Sequence, residues 1–315
     1  MNRAVVRLLL VGLIVGLSMY LVGCGGSPNA ASSSQNNPAS AALTPASSPG
    51  SSTPSSPASS PTAPATTTPS SPVTTPSSGA SGASGAAASV LPTPPANASV
   101  FSNLQSVALT GSCNASSCAG GSGNSSYFAA LNQTTPSLSG ASMEISSAGA
   151  DANALFWWHN SIDAALVNSI SHLLEDFWIY TDNTDGVQAF EYDPDWYVNG
   201  YKYDMSIQCD YADGKIWRLW DSAGNRWVAV SPALPCGWTV NTWHHVQLYV
   251  TSSLANHTYT YQTLVIDGNP TVLNATYSAL SNGWGPTIGT EVQLDGNSSG
   301  TAIHEWIDNM TLTVW

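Results

Sequence analysis

Charge is scarce in this 315-residue chain, and positive charge scarcest: 8% of residues are charged, and lysine and arginine together number six. Two of the six, Arg3 and Arg7, stand at the amino terminus, and no acidic residue precedes Glu144. From Glu144 onward, nineteen acids face only Lys202, Lys215, Arg218 and Arg226, a balance of −15. Such a surface repels a phosphate backbone, which excludes nucleic acid as a partner. Also missing are a Ser/His/Asp arrangement, a phosphate-binding glycine loop and a dinucleotide fingerprint. No apolar run reaches the roughly 20 residues of a comfortable membrane span.

The longest apolar run, Leu8 to Gly23, follows Arg3 and Arg7 and stops at Cys24. A short core ending in small residues reads as an export signal. Leu21-Val22-Gly23-Cys24 resembles the lipobox of bacterial lipoproteins. The resemblance implies a signal peptide over residues 1–24, a diacylglyceryl thioether on Cys24, cleavage before it and acylation of the new amino terminus. Several acyl chains, at about 0.8 kcal/mol per buried CH₂, anchor stably where one is marginal. A plain secretory signal or a single-span anchor is the alternative. Gly25 stands where Asp marks inner-membrane retention in Gram-negative lipoproteins, so the resemblance implies a lipid-anchored protein of the bacterial cell envelope, on the outer membrane if there is one.

Residues 25–99 are Ser, Pro, Thr, Ala and Gly with little else and no charged residue. They offer too little apolar surface to offset about 1 to 2 kcal/mol per residue of backbone ordering, which predicts a disordered linker. Its mean span would be about 50 Å. Four cysteines remain: Cys113 and Cys118 in a Gly/Ser-rich segment, then Cys209 and Cys236. Export favours disulfides, and of the three pairings the expected one joins Cys113 to Cys118 and Cys209 to Cys236. Neither pair has the CxxC spacing of a metal site.

Residues 100–315 suffice for one sizeable domain, and strand patterns fill it. In YKYDMSIQCDY, Tyr203, Met205, Ile207, Cys209 and Tyr211 take one face while Asp204, Ser206, Gln208 and Asp210 take the other. The turn signals DNTDG, ADGK, DSAGN, IDGN and LDGNSSG separate β-rich runs, as antiparallel hairpins would. Ser161 to Leu174 fits either a helix or a loop leading into the strand DFWIY. NTWHHVQLYV, TYTYQTLVIDGNP and the terminal IDNMTLTVW resemble the laminin G-like and concanavalin A-like superfamily. The resemblance implies an all-β, two-sheet jelly-roll sandwich over 100–315. The superfamily holds lectins, adhesion modules, glycoside hydrolases and polysaccharide lyases, so fold alone does not choose among them.

The candidate site lies in VQAFEYDPDWYV. Strand parity puts Ala189, Glu191 and Asp193 opposite Phe190 and Tyr192, away from a core. The segment EYDPD looks like the E-x-D-x-E strand of laminarinase-like glycoside hydrolases, which would make Glu191 and Asp193 a catalytic pair. Against the pattern, Asp195 stands where Glu is expected, and Pro194 removes a ladder donor, so Asp195 is read as starting a turn. The same parity places Gln208 and His245 opposite apolar neighbours, and a shared concave face of Glu191, Asp193, Gln208 and His245 is expected. In the superfamily such a face binds saccharide with aromatic stacking, here by Trp217 or Trp220. Asp182 and Asp185 in TDNTDG offer oxygen ligands for calcium or simply close a turn; no cofactor is otherwise required. The function this implies is a membrane-anchored module that binds polysaccharide without cleaving it. The alternatives are a retaining glycoside hydrolase or lyase using Glu191 and Asp193, and an adhesion domain with a protein partner. Nothing in the sequence sets the oligomeric state.

Overall fold

A computed structural model of the protein describes residues 91–114, 125–149, 153–161 and 164–315. The signal peptide, Cys24, the linker before residue 91 and Cys118 lie outside the described residues. In chain order the strands are β1 (Ser99–Ser102), β2 (Gly111–Asn114), β3 (Ser126–Gln133), β4 (Ser142–Ala148), β5 (Ala154–Ser161) and β6 (His172–Thr181). Then come β7 (Val187–Val198), β8 (Tyr201–Asp204), β9 (Ile207–Asp210), β10 (Ile216–Asp221), β11 (Arg226–Ala229) and β12 (His244–Ser253). The last are β13 (Thr258–Ile266), β14 (Asn269–Ser278), β15 (Leu280–Ser281), β16 (Thr287–Gly296) and β17 (Ile303–Val314).

They form two antiparallel sheets. The first runs β14-β13-β12-β6-β17-β4-β3, with β1 on β17; the second runs β11-β10-β9-β7-β16-β5-β2, with β8 on β7 and β15 on β8. The sheets pack as an all-β jelly-roll sandwich. Period-two patterning directs the packing: along β12, Val246, Leu248 and Val250 are buried while His245, Gln247 and Tyr249 are half-buried on the other face. Opposite them, β7 contributes Phe190, Tyr192 and Trp196 to the same core, and β10 contributes Trp217 and Leu219. Each such side chain taken from water contributes about 1.5 to 3 kcal/mol.

Two carboxyls break the apolar pattern from within. Glu175 on β6 and Glu305 on β17 point inward from the first sheet; Glu175 accepts a hydrogen bond from Thr290 of β16, and Glu305 one from the Tyr192 hydroxyl of β7. Each reaches across to the second sheet. Burial pushes both up to about 8, and their hydrogen bonds only partly offset it.

Several local expectations are corrected. The helix and loop readings of Ser161 to Leu174 each hold in part: α1 spans only Ala164–Val167, and β6 begins at His172, ahead of DFWIY, its alternating LLEDFWIY fitting a sheet. DNTDG and LDGNSSG are not hairpin turns: they carry the chain from one sheet to the other, β6 to β7 and β16 to β17, whereas ADGK, DSAGN and IDGN do close hairpins. The strand read over Tyr203 to Tyr211 divides into β8 and β9 around Met205 and Ser206, though its face assignment survives the break.

Nor does Pro194 end β7. Its carbonyl accepts from Met205 N–H (3.0 Å), so its missing N–H faces the same side, where the partner strand is broken and no ladder bond is owed. Asp195 therefore sits inside β7, paired with Asp204 and Gly289. Cys209 of β9 is bonded to Cys236, with Cα atoms 5.5 Å apart. Cys113 is also disulfide-bonded.

Candidate functional site

The outer face of the second sheet is built in rows by strand register. Glu191 of β7 lies between Gln208 of β9 and Gln293 of β16; Asp193 faces Glu291 of β16; Asp195 faces Gly289 on one side and Asp204 of β8 on the other. Parity sends these polar side chains away from the core, and the curvature of the sheet gathers them around a narrow depression of about 20 Å³ lined by Asp193, Lys202, Trp220, Trp227 and Glu291 among others. Glu191 is 2% exposed, and both its oxygens are occupied: Gln208 Nε2 donates to one at 2.9 Å and Gln293 Nε2 to the other at 3.0 Å. Asp193, 8% exposed, keeps Oδ1 without a partner.

Six carboxyls crowd this face, namely Glu191, Asp193, Asp195, Asp204, Glu291 and Asp295, against the cations of Lys202 and His159. Burial is the main cause that raises Glu191 well above the carboxylate range, helped by Asp295 and Asp193. It does the same to Asp193, with Asp204 and Glu291 adding repulsion. Asp195 goes the other way: burial works to raise it, but Lys202 and His159 outweigh burial and hold it below the usual range. For His159, burial favours the neutral ring, yet Asp195 and Glu291 together lift it to about 10. The site thus separates carboxyls that keep a proton from one that does not.

His159 comes from β5, two strands from Asp195. Its Nε2 lies 2.9 Å from Glu291 Oε1 and 3.4 Å from Asp195 Oδ1, while Lys202 Nζ lies 3.4 Å from Asp195 Oδ2 and 3.0 Å from Asp204 Oδ2. To get there the imidazole crosses β16 over Gly289, where a Cβ would stand 2.2 Å from His159 Cδ2. Only glycine leaves that path open. An aromatic wall borders the crossing: Tyr197 stacks on Trp284 with centroids 4.7 Å apart, both touch the His159 ring, and Trp284 is 40% exposed.

Of the residues singled out from the sequence, Glu191, Asp193, Gln208 and Trp220 share this face. Two do not. Trp217 points inward and is 0% exposed, since β10 sends alternate residues to opposite sides. His245 is on β12 of the first sheet, where it pairs with Asp176 at 2.7 Å and stacks on Trp178, so the shared face with Glu191 does not exist. Asp182 is exposed, its Oδ1 accepting from Asn183, and Asp185 accepts through its carbonyl from Asn297. Neither belongs to a metal-capable group of three among the described residues; that group is His159, Asp195 and Glu291. His159, Lys202 and Glu291 were not singled out from sequence. A signal existed in TEVQLD, where Glu291, Gln293 and Asp295 alternate with Val292 and Leu294.

No protein-family model matches the chain, and no curated protein matches it. Solved structures do. The alginate lyase Aly36B, in a mutant form complexed with alginate trisaccharide, is 15% identical with a TM-score of 0.39, over 68% of this chain and 97% of that one. The cellulose-induced protein Cip1 is 12% identical with a TM-score of 0.38, over 59% and 85%. Peanut lectin is 11% identical with a TM-score of 0.36, over 61% and 99%. These likenesses concern the fold, and no residue's role is carried over from them.

Proposed function

We propose that the protein is a polysaccharide-binding module, held at the cell envelope through a lipid on Cys24, and that the depression on the second sheet receives the sugar. The observation that carries this reading is the combination found there: buried carboxyls and amides able to exchange hydrogen bonds with hydroxyls, the unpartnered Asp193 Oδ1, and the indoles of Trp220 and Trp227 alongside. Sugars ask for that pairing of directed polar groups with flat apolar surface. The surplus of acid weighs against a uronate-bearing polymer, whose carboxylates would meet like charge in a poorly solvated site. A neutral glycan is the better fit. A glycan array, with neutral and uronate polymers side by side, tests it. Binding confined to neutral chains is the expected result, and no glycan binding at all would favour an adhesion domain with a protein partner.

Cleavage is the second reading, and the observation favouring it is that Asp193 and Glu291 face each other across β7 and β16, both with raised carboxyl pKa. Cross-strand partners of this kind have Cα atoms roughly 4.5 to 5.5 Å apart, compatible with the close carboxyls of a retaining glycosidase. Glu191, with both oxygens held by amides, would then position rather than attack. Product analysis on any polymer that binds decides between the readings: product lost in Asp193→Asn with binding kept means an enzyme.

A further inference from the structure

We propose that His159, Asp195 and Glu291 form a binding site for a divalent transition-metal ion, with Zn²⁺ the best match. The inference is independent of the sugar-binding reading and competes with the cleavage reading, since a Glu291 that holds the metal is not free to act as one of a pair of glycosidase carboxyls.

Three observations carry it. The first is the donor set: one imidazole nitrogen and two carboxylate oxygens, each from a different strand, lie within 4.8 Å of one another. Zinc at its usual bond lengths spaces tetrahedral ligand atoms about 3.4 Å apart, and the His159 contacts to Glu291 and Asp195 measure 2.9 and 3.4 Å. The second is how these atoms face each other. Asp195 is wholly buried, and its oxygens lie in ion-pair range of His159 Nε2 and Lys202 Nζ, each at 3.4 Å, without the alignment of a hydrogen bond. The imidazole nitrogen is aligned with neither acid. Buried polar atoms left so are uncommon, and donors converging on a common point explain the arrangement. The third is Gly289, whose missing side chain leaves room for the imidazole where it passes over β16.

Zinc would take the place of the proton that Asp195 and Glu291 hold on His159 in the free protein, so binding releases that proton and weakens as pH falls. Lys202 approaches Asp195 through Oδ2 and so leaves Oδ1 for the metal. Three protein ligands leave a fourth position for water or another ligand, and Glu291 also lines the depression. Calcium is disfavoured, because it takes six to eight oxygens and this site offers a nitrogen and two carboxylates.

The test uses the full chain, stripped with chelator and titrated with Zn²⁺ by isothermal calorimetry, with Ca²⁺ in parallel and bound metal counted by mass spectrometry. One Zn²⁺ per chain is expected, with Ca²⁺ binding far weaker. His159→Ala and Glu291→Gln, each checked for native circular dichroism, should weaken Zn²⁺ binding about a hundredfold. Two variants are used so that a folding failure in one leaves the other decisive. Absence of saturable Zn²⁺ binding up to about 1 mM, binding unchanged in a folded variant, or Ca²⁺ bound as tightly as Zn²⁺ would each overturn the proposal.

Discussion

Trp217 and Trp220 stand three residues apart on one strand and answer to different forces. Trp217→Ala opens a cavity in the core and should cost about 3 to 5 kcal/mol in urea unfolding. Trp220→Ala removes an indole that sits beneath the outer face, 3% exposed and packed on Trp227, and should lower polysaccharide affinity roughly tenfold in addition to any stability it costs. Finding the reverse would misplace the groove. Glu175 and Glu305 make a second residue-scale prediction. Each ionises near 4.5 in the unfolded chain and about 8 in the folded one. Between those values the native state holds the extra proton, so stability falls as pH rises. Each tenfold displacement of such an equilibrium is worth about 1.4 kcal/mol. Relative to the parent, Glu175→Gln and Glu305→Gln should therefore gain stability from pH 5 to pH 8, read from urea unfolding at each pH; a difference that does not change with pH would contradict the buried protons. Sequence did not disclose these two acids, because the alternation that places them inward is the one that normally places leucine or valine there.

Elements were more legible. Period two in VQAFEYDPDWYV and YKYDMSIQCDY assigned Glu191, Asp193 and Gln208 to the face away from the core, and the register of β7 with β9 agrees. The same arithmetic failed for His245 for a plain reason: a sandwich has two outer faces, and parity within a strand does not say which sheet the strand joins. Pro194 misled by the opposite route, since a missing donor matters only where a partner waits for it. The bond between Cys209 and Cys236 closes a loop of 27 residues. Chain entropy puts its contribution at about 3 to 4 kcal/mol, so the Cys209→Ala/Cys236→Ala double variant should lose that much in denaturant titration. Gly289→Ala meets Trp158 O as well as the imidazole, with a Cβ only 2.3 Å from that carbonyl. A loss of about 1 to 3 kcal/mol is expected, and the His159 ring should shift, visible as a displaced imidazole resonance in NMR.

For the molecule as a whole, the lipid proposal has a direct outcome: Cys24→Ser should move the protein from the membrane to the soluble fraction and abolish fatty-acid labelling. A variant that stays membrane-bound and uncleaved would replace the lipid with a spanning anchor. The arrangement of the site also governs when it can exist. Glu191 and the Gln293 that holds it are 102 residues apart in the chain, and His159 reaches Asp195 only after β5, β16 and β7 lie side by side. Such pairings close large loops before any contact repays them, so refolding should be slow for a domain of this size. No fragment ending before β16 contains Glu291 or Gln293. During synthesis the depression on the second sheet is therefore among the last features to form, and an emerging chain would acquire the proposed ligand affinity only once β16 had been released.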